Sequence, residues 1–192
     1  MLYCGVCHTD VHYADNFNGQ VIFPLVPGHE LLGRVSEVGA NVTKFKVGDN
    51  CAVGSFIDSC LDCKQCNNNS EQYCDNGWVP TYNAPKNSKY GRATGNPDVR
   101  TLGGYTSSVT VHHKFVHLIP EGMPLELAAP LFCSGVATYG ALKYYGFIGG
   151  EKRTVGIVGI GGMGTIGIKI AVALGHEVIA ISTNPAKEEL AK

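Results

Sequence analysis

No run of basic residues occurs in this 192-residue sequence, and its formal net charge is −1. That removes the electrostatic footprint of a nucleic-acid binder and leaves little to attract an anionic membrane surface. The first five residues hold neither a basic region nor an apolar stretch, so no secretory leader is expected. There is no internal repeat. Glycine is abundant at 25 residues, but the glycines punctuate turns and one short loop rather than forming a linker. The one stretch to weigh as a membrane span, 154–175, holds Lys169 and interior glycines at 156, 159, 161, 162, 164 and 167. Its apolar spacing runs first as a strand and then as a helix, so no membrane partner is expected.

Cysteine, by contrast, is plentiful. Eight cysteines in a chain that is 44% hydrophobic do not fit a small disulfide scaffold, because such a chain can build its own core. Four of them, Cys60, Cys63, Cys66 and Cys74, follow C-x2-C-x2-C-x7-C spacing. Neighbouring C-x2-C thiolates turn onto one point, and four sulfurs around one point form a closed tetrahedral zinc site. A disulfide framework is the alternative. A closed site offers no open coordination position, so it braces a lobe and leaves chemistry to other residues. A reducing compartment, the cytoplasm, is expected.

Along the chain, residues 31 to about 115 read as short strands and turns. Residues 31–38 partly alternate apolar and polar, and 105–116 return to a strand pattern. Residues 81–100 are polar, with Pro85, Gly91, Gly95 and Pro97, and read as a long loop or flap. After Pro120 the character changes. Residues 125–145 read as helices, 154–158 as a buried strand, 162–174 as a helix and 178–181 as a second buried strand. That is a βαβ unit with parallel strands and a right-handed crossover. The domain boundary is expected near Cys133, dividing the chain into 1–133 and 134–192.

Gly159, Gly161, Gly162, Met163 and Gly164 lie in a G-x-G-x-x-G run with a strand before it and a helix after it. The glycines let the backbone approach a pyrophosphate at the helix N-terminus. A strand-to-helix turn that uses glycine only for packing is the plain alternative. At the end of the second strand, an NAD site usually carries an acid for the ribose 2′-hydroxyl. Here stand Ser182, Thr183 and Asn184, with Lys187 one turn further, which suits a 2′-phosphate and points to NADP(H). An ordinary N-cap by Ser182 or Thr183 is the alternative, and both readings can hold together.

Cys7-His8-Thr9-Asp10, Pro27-Gly28-His29-Glu30, the cysteine lobe, Gly103-Gly104-Tyr105, Ala129-Pro130-Leu131-Phe132-Cys133 and the glycine loop occur in that order. In this ordered set the chain resembles the zinc-dependent medium-chain alcohol dehydrogenases, most closely their cinnamyl alcohol dehydrogenase branch. The resemblance implies a GroES-like β-barrel catalytic domain followed by the first half of a Rossmann dinucleotide-binding domain. It implies two zinc ions per chain. Cys7, His29 and Cys133 would bind a catalytic zinc that keeps one position open, with Glu30 as an alternative ligand during exchange. Asp10 would orient His29. Thr9 would accept the alcohol proton and His12 would pass it on through the cofactor ribose. Thr138 would touch the nicotinamide. His112, His113, His117 and His176 match no ligand position and read as solvated, while Cys4 and Cys51 read as core.

The expected function is therefore interconversion of primary alcohols and aldehydes by hydride transfer with NADP(H), on a small-molecule substrate, by a full-length homodimer. An NAD-dependent polyol dehydrogenase of the same superfamily and a non-catalytic, zinc-stabilised fragment are the rivals. Members of the family extend further at both ends, so the chain is expected to be a fragment that is inactive alone. The stretch between Cys74 and Gly103 also looks longer than in the plant enzymes, which leaves the substrate open.

Overall fold

The computed structural model describes residues 1–84 and 100–191. Of the loop expected at 81–100, residues 85–99 lie outside the described residues. The chain divides into two units, Met1–Phe132 and Cys133–Lys192.

The first unit is built on a four-stranded antiparallel sheet of β1 (Tyr3–Gly5), β2 (Glu30–Arg34), β3 (Asn50–Val53) and β6 (His117–Leu118), in the order β1-β2-β3-β6. Leu31 and Leu32 of β2 stand opposite Val53 and Ala52 of β3. Successive side chains of a strand point to opposite faces, and both faces of β2 are covered. Leu31 joins Val53, Ile57, Val79 and Ala84 in one core. Leu32 joins Ala128 and Ala129 in another. A strand buried on both sides reads as a continuous apolar run, which is why residues 31–32 break strict alternation.

The cysteine lobe hangs from a small antiparallel pair, β4 (Phe56–Asp58) and β5 (Val79–Pro80). Between them lie α2 (Lys64–Asn67) and a 3-10 turn, Glu71–Tyr73. An ion pair of 3.0 Å between Lys114 and Glu71 ties the lobe to the segment before β6. Helix α1 (His8–Ala14) follows β1, and α3 (Leu125–Ala128) runs into a 3-10 turn, Ala129–Phe132.

The strand expected over 105–116 needs correction. Residues 105–116 form no strand; they follow an irregular path ending in a 3-10 turn at His113–Phe115. Their backbone bonds are isolated, as from His112 N–H to the Ile57 carbonyl at 3.2 Å, and the His112 ring accepts the Lys114 N–H at 3.4 Å. Local side-chain bonding of this kind competes with a ladder. The helices expected over 125–145 are present, separated at the 3-10 turn holding Pro130, which has no N–H to continue a helix.

The second unit contains α4 (Ser134–Tyr144), β7 (Thr154–Val158), α5 (Gly162–Ala173), β8 (Glu177–Ile181) and a last turn of helix, α6 (Glu188–Ala191). Strands β7 and β8 pair in parallel, with Val155 opposite Val178 and Val158 opposite Ile181. Leu142, Val155 and Ala171 form the core, with Phe147, Ile157, Ile170, Leu174 and Val178 packed around it. The former membrane candidate is thus a strand, a turn and a helix. Among the described residues no single helix is long and apolar enough to cross a membrane.

His176 is not solvated as expected. It is 6% exposed, its Nε2 lies 2.5 Å from the Phe147 carbonyl oxygen, and its Nδ1 accepts the Arg153 N–H at 3.3 Å. His112 is half-buried, and burial pushes its pKa down. His117 is exposed, and partial desolvation of its ring lowers its pKa.

Candidate functional site

Cys60, Cys63, Cys66 and Cys74 converge: each offers its sulfur, and the four lie within 4.8 Å of one another. Cys60 and Cys66 stand 3.8 Å apart, Cys63 and Cys66 3.5 Å, and Cys63 and Cys74 4.0 Å. Four sulfurs at about 2.3 Å from one tetrahedral ion would stand about 3.8 Å from each other. None of the four is disulfide-bonded. The donor set and its spacing therefore fit zinc.

The backbone supports the sulfurs. Cys63 N–H donates to Cys60 Sγ at 3.3 Å, and Cys60 N–H to Cys74 Sγ at 3.5 Å. The Cys60 thiol is lowered to about 5, first by the Asn76 side chain and then by backbone N–H groups. A thiolate already favoured by hydrogen bonds is prepared for a cation.

A second group brings together Cys7, His29 and Glu30 of the first unit and Cys133, the residue directly after it. Their ligand atoms lie within 4.8 Å of one another. Two thiols, an imidazole and a carboxylate also suit zinc. Local structure sets each of them. Cys7 is the N-cap of α1, and Cys133 the N-cap of α4. His29 and Glu30 are buried where the chain enters β2. Gly28 has φ +103°, a left-handed conformation that glycine adopts without strain, and it turns the chain into His29. A Cβ there would also stand 2.8 Å from Cys4 Sγ. Glu30 lies over Gly5, where any Cβ would overlap its carboxylate.

Asp10 is the hub of this region. Its Oδ2 accepts the Cys7 N–H and the Tyr105 hydroxyl, each at 3.0 Å. Its Oδ1 accepts the Gly28 N–H at 3.0 Å and faces His29 Nδ1 at 3.4 Å. A carboxylate can only accept, so in the neutral imidazole Nδ1 is the nitrogen that carries the proton and Nε2 the one with the lone pair. Tyr82 OH also lies 3.3 Å from Nδ1. Burial, with a hydrogen bond to Asp10, pushes both tyrosines upward in pKa.

Tyr82 and Tyr105 were not named as site residues from the sequence. Tyr105 stood inside the Gly-Gly-Tyr motif, which was a signal, whereas Tyr82 had none. Thr9 and His12 are exposed on α1; Thr9 Oγ1 lies 3.5 Å from Cys7 Sγ, and the His12 ring packs on Phe17.

In the second unit, Gly159, Gly161, Gly162, Met163 and Gly164 run from β7 into the first turn of α5, and Gly161 is its N-cap. A Cβ on Gly164 would overlap the Gly159 carbonyl, so the run's last glycine lets the helix meet the turn. Thr138 donates its hydroxyl to the Ser134 carbonyl at 2.8 Å and is partly buried. Ser182, Thr183 and Asn184 are exposed, with Lys187 half-exposed beyond them. The N-cap falls on Asn184 rather than on Ser182 or Thr183: its Oδ1 accepts the Ala186 N–H at 3.0 Å.

The alcohol dehydrogenase GroES-like domain matches residues 1–121. A probable mannitol dehydrogenase of Medicago sativa is 45% identical over 188 residues, covering 98% of this chain and 49% of the relative. The chain thus spans about half the length of the curated relatives it matches. A cinnamyl alcohol dehydrogenase structure from Sorghum bicolor aligns with TM-score 0.86 at 39% identity, over 98% of this chain and 52% of that one. CAD from Helicobacter pylori, complexed with NADP(H), aligns with TM-score 0.82 at 37% identity, over 98% and 52%.

Proposed function

Because the chain belongs to the medium-chain alcohol dehydrogenase family, in its cinnamyl alcohol dehydrogenase branch, we propose that it carries the metal site and part of the cofactor site of an NADP(H)-dependent oxidoreductase acting on primary alcohols and aldehydes. The observation that carries this reading is the gathering of Cys7, His29, Glu30 and Cys133. Cys7, His29 and Cys133 would hold a catalytic zinc, with Glu30 beside them, and Cys60, Cys63, Cys66 and Cys74 a structural one. Zinc bound by two thiolates and an imidazole supplies a Lewis acid to an alcohol or carbonyl oxygen.

The chain's own residues do the rest. Asp10 holds His29 through Nδ1 and leaves Nε2 for the metal. Thr9, exposed beside Cys7, accepts the proton of the alcohol. His12, one turn further along α1 and also exposed, carries it outward. The α5 N-terminus and its glycine run bind the pyrophosphate of the dinucleotide. Thr138, its hydroxyl oxygen retaining lone pairs, contacts the nicotinamide. Ser182, Thr183, Asn184 and Lys187 bind the 2′-phosphate, and no carboxylate stands among residues 182–187 to repel it. A dinucleotide held there would supply the hydride acceptor or donor that interconverts alcohol and aldehyde.

A polyol substrate is the second reading, favoured by the mannitol dehydrogenase name of the Medicago sativa relative. The NAD preference of that rival finds no support at the end of β8. The test is made on the complete protein: zinc content, and kcat/KM for cinnamaldehyde and for a ketose, each with NADPH and with NADH. Two zinc ions and NADPH-dependent aldehyde reduction are expected. One zinc, or preference for NADH, overturns the assignment.

A further inference from the structure

Asp10 alone does not account for how His29 is held. Its Oδ1 stands 3.4 Å from His29 Nδ1, long for a charge-assisted hydrogen bond. Nor is the carboxylate at liberty to come closer, since the Cys7 N–H, the Gly28 N–H and the Tyr105 hydroxyl all pin it at 3.0 Å. A second oxygen fills the gap. Tyr82 OH lies 3.3 Å from the same Nδ1, so the Nδ1–H points between two oxygens.

The Tyr82 ring is itself fixed. It is 5% exposed. It meets Tyr13 of α1 edge-on at 5.0 Å, and it lies 5.8 Å from the His29 ring at a tilt of 34°. A buried phenol needs a partner for its hydroxyl, and the His29 Nδ1–H supplies one.

We infer that Tyr82 is a positioning residue for His29, its hydroxyl oxygen sharing the Nδ1–H with Asp10 so that the imidazole presents Nε2 to the metal-ligand group. The inference rests on the reading of Cys7, His29 and Cys133 as one metal site. Tyr82 does not touch substrate; it acts through the imidazole, on the strength and symmetry of the metal's nitrogen bond.

The experiment loads the 192-residue chain with zinc and titrates it with a chromophoric chelator, then repeats the loading with cobalt to read the ligand-field bands. In Tyr82→Phe the ring contacts with Tyr13 remain and only the hydroxyl is lost. We expect the Cys7–His29–Cys133 site to weaken about tenfold, the usual scale for losing a partner behind a metal-bound histidine. Its cobalt bands should shift, and the four-cysteine site should be unchanged. Unchanged affinity and bands at the Cys7 site overturn the inference. Equal weakening of both sites marks a packing defect and overturns it as well. If the wild-type chain takes up one metal only, the metal-site reading fails before any variant is made, and the inference falls with it.

Discussion

The Cys7 backbone N–H donates to Asp10 Oδ2 at 3.0 Å. One carboxylate thereby caps α1 and holds the backbone of a candidate metal ligand. Replacing it removes acceptors from the Cys7 and Gly28 N–H groups and the Tyr105 hydroxyl at once. We expect Asp10→Ala to destabilise the first unit by about 3 kcal/mol, read from the urea midpoint, and to lose metal at Cys7 while keeping it at the four cysteines.

The two metal groups share no residue, so they should be separable. Cys133→Ala should leave one zinc per chain, at the four cysteines; Cys63→Ala should leave one at the other group. Only Cys63→Ala should open the lobe between β4 and β5 to protease. Metal analysis and limited proteolysis check this, and loss of both ions from either variant would refute it.

Cys4 gives a pH prediction. Burial raises its thiol from 9.0 to about 11. An acid whose pKa is raised by folding contributes its full share of stability below the unfolded value and loses it as pH rises through the folded one. The first unit should therefore weaken between about pH 9 and pH 11, and Cys4→Ala should flatten that part of the profile. Alkylation of Cys4 should lag behind ordinary thiols until the same range. Chemical denaturation and mass spectrometry across these pH values decide it.

Much of this was legible in advance for physical reasons that differ by element. The βαβ unit announced itself through two short apolar strands and a glycine run, because backbone approach to a helix N-terminus demands glycine at those places. The four cysteines were legible through spacing, since C-x2-C geometry is local. The ordered motifs brought Cys7, His29 and Cys133 forward, though no local signal did. Tyr82 was invisible: its role depends on Tyr13 and His29 meeting it from distant parts of the chain. His176 misled for the same reason, as its partners, Phe147 and Arg153, lie more than twenty residues upstream.

His176 yields its own prediction. Its ring joins the Phe147 carbonyl and the Arg153 N–H inside the second unit. His176→Ala should leave both groups without that partner and cost about 2 kcal/mol, seen as a lower melting temperature of this unit. Exposed His113 serves as the control, with His113→Ala near neutral.

The parallel pair β7–β8 exposes apolar side chains: Val158 is 79% exposed, Ile179 54% and Ile181 49%. Exposed apolar strands invite association. The 192-residue chain should bind a hydrophobic dye, associate with rising concentration, and reduce cinnamaldehyde well below the ordinary enzyme rate of about 1 per second. Ile179→Lys should reduce association. A monomeric chain turning over at ordinary rates would contradict this.

The two candidate metal groups differ in one further respect, which is how far along the chain their parts must travel to meet. The four cysteines fall within residues 60–74, a short loop to close. The other group depends on α1, the turn at Gly28 and the segment carrying Tyr105, which bonds Asp10 across 95 residues. Loop closure is slower and entropically dearer over such a span. During synthesis and folding, then, the lobe has a metal to gather before the imidazole site exists. Loading should proceed in a fixed order, with the small site serving as an early anchor and the larger one completed only when the first unit has folded.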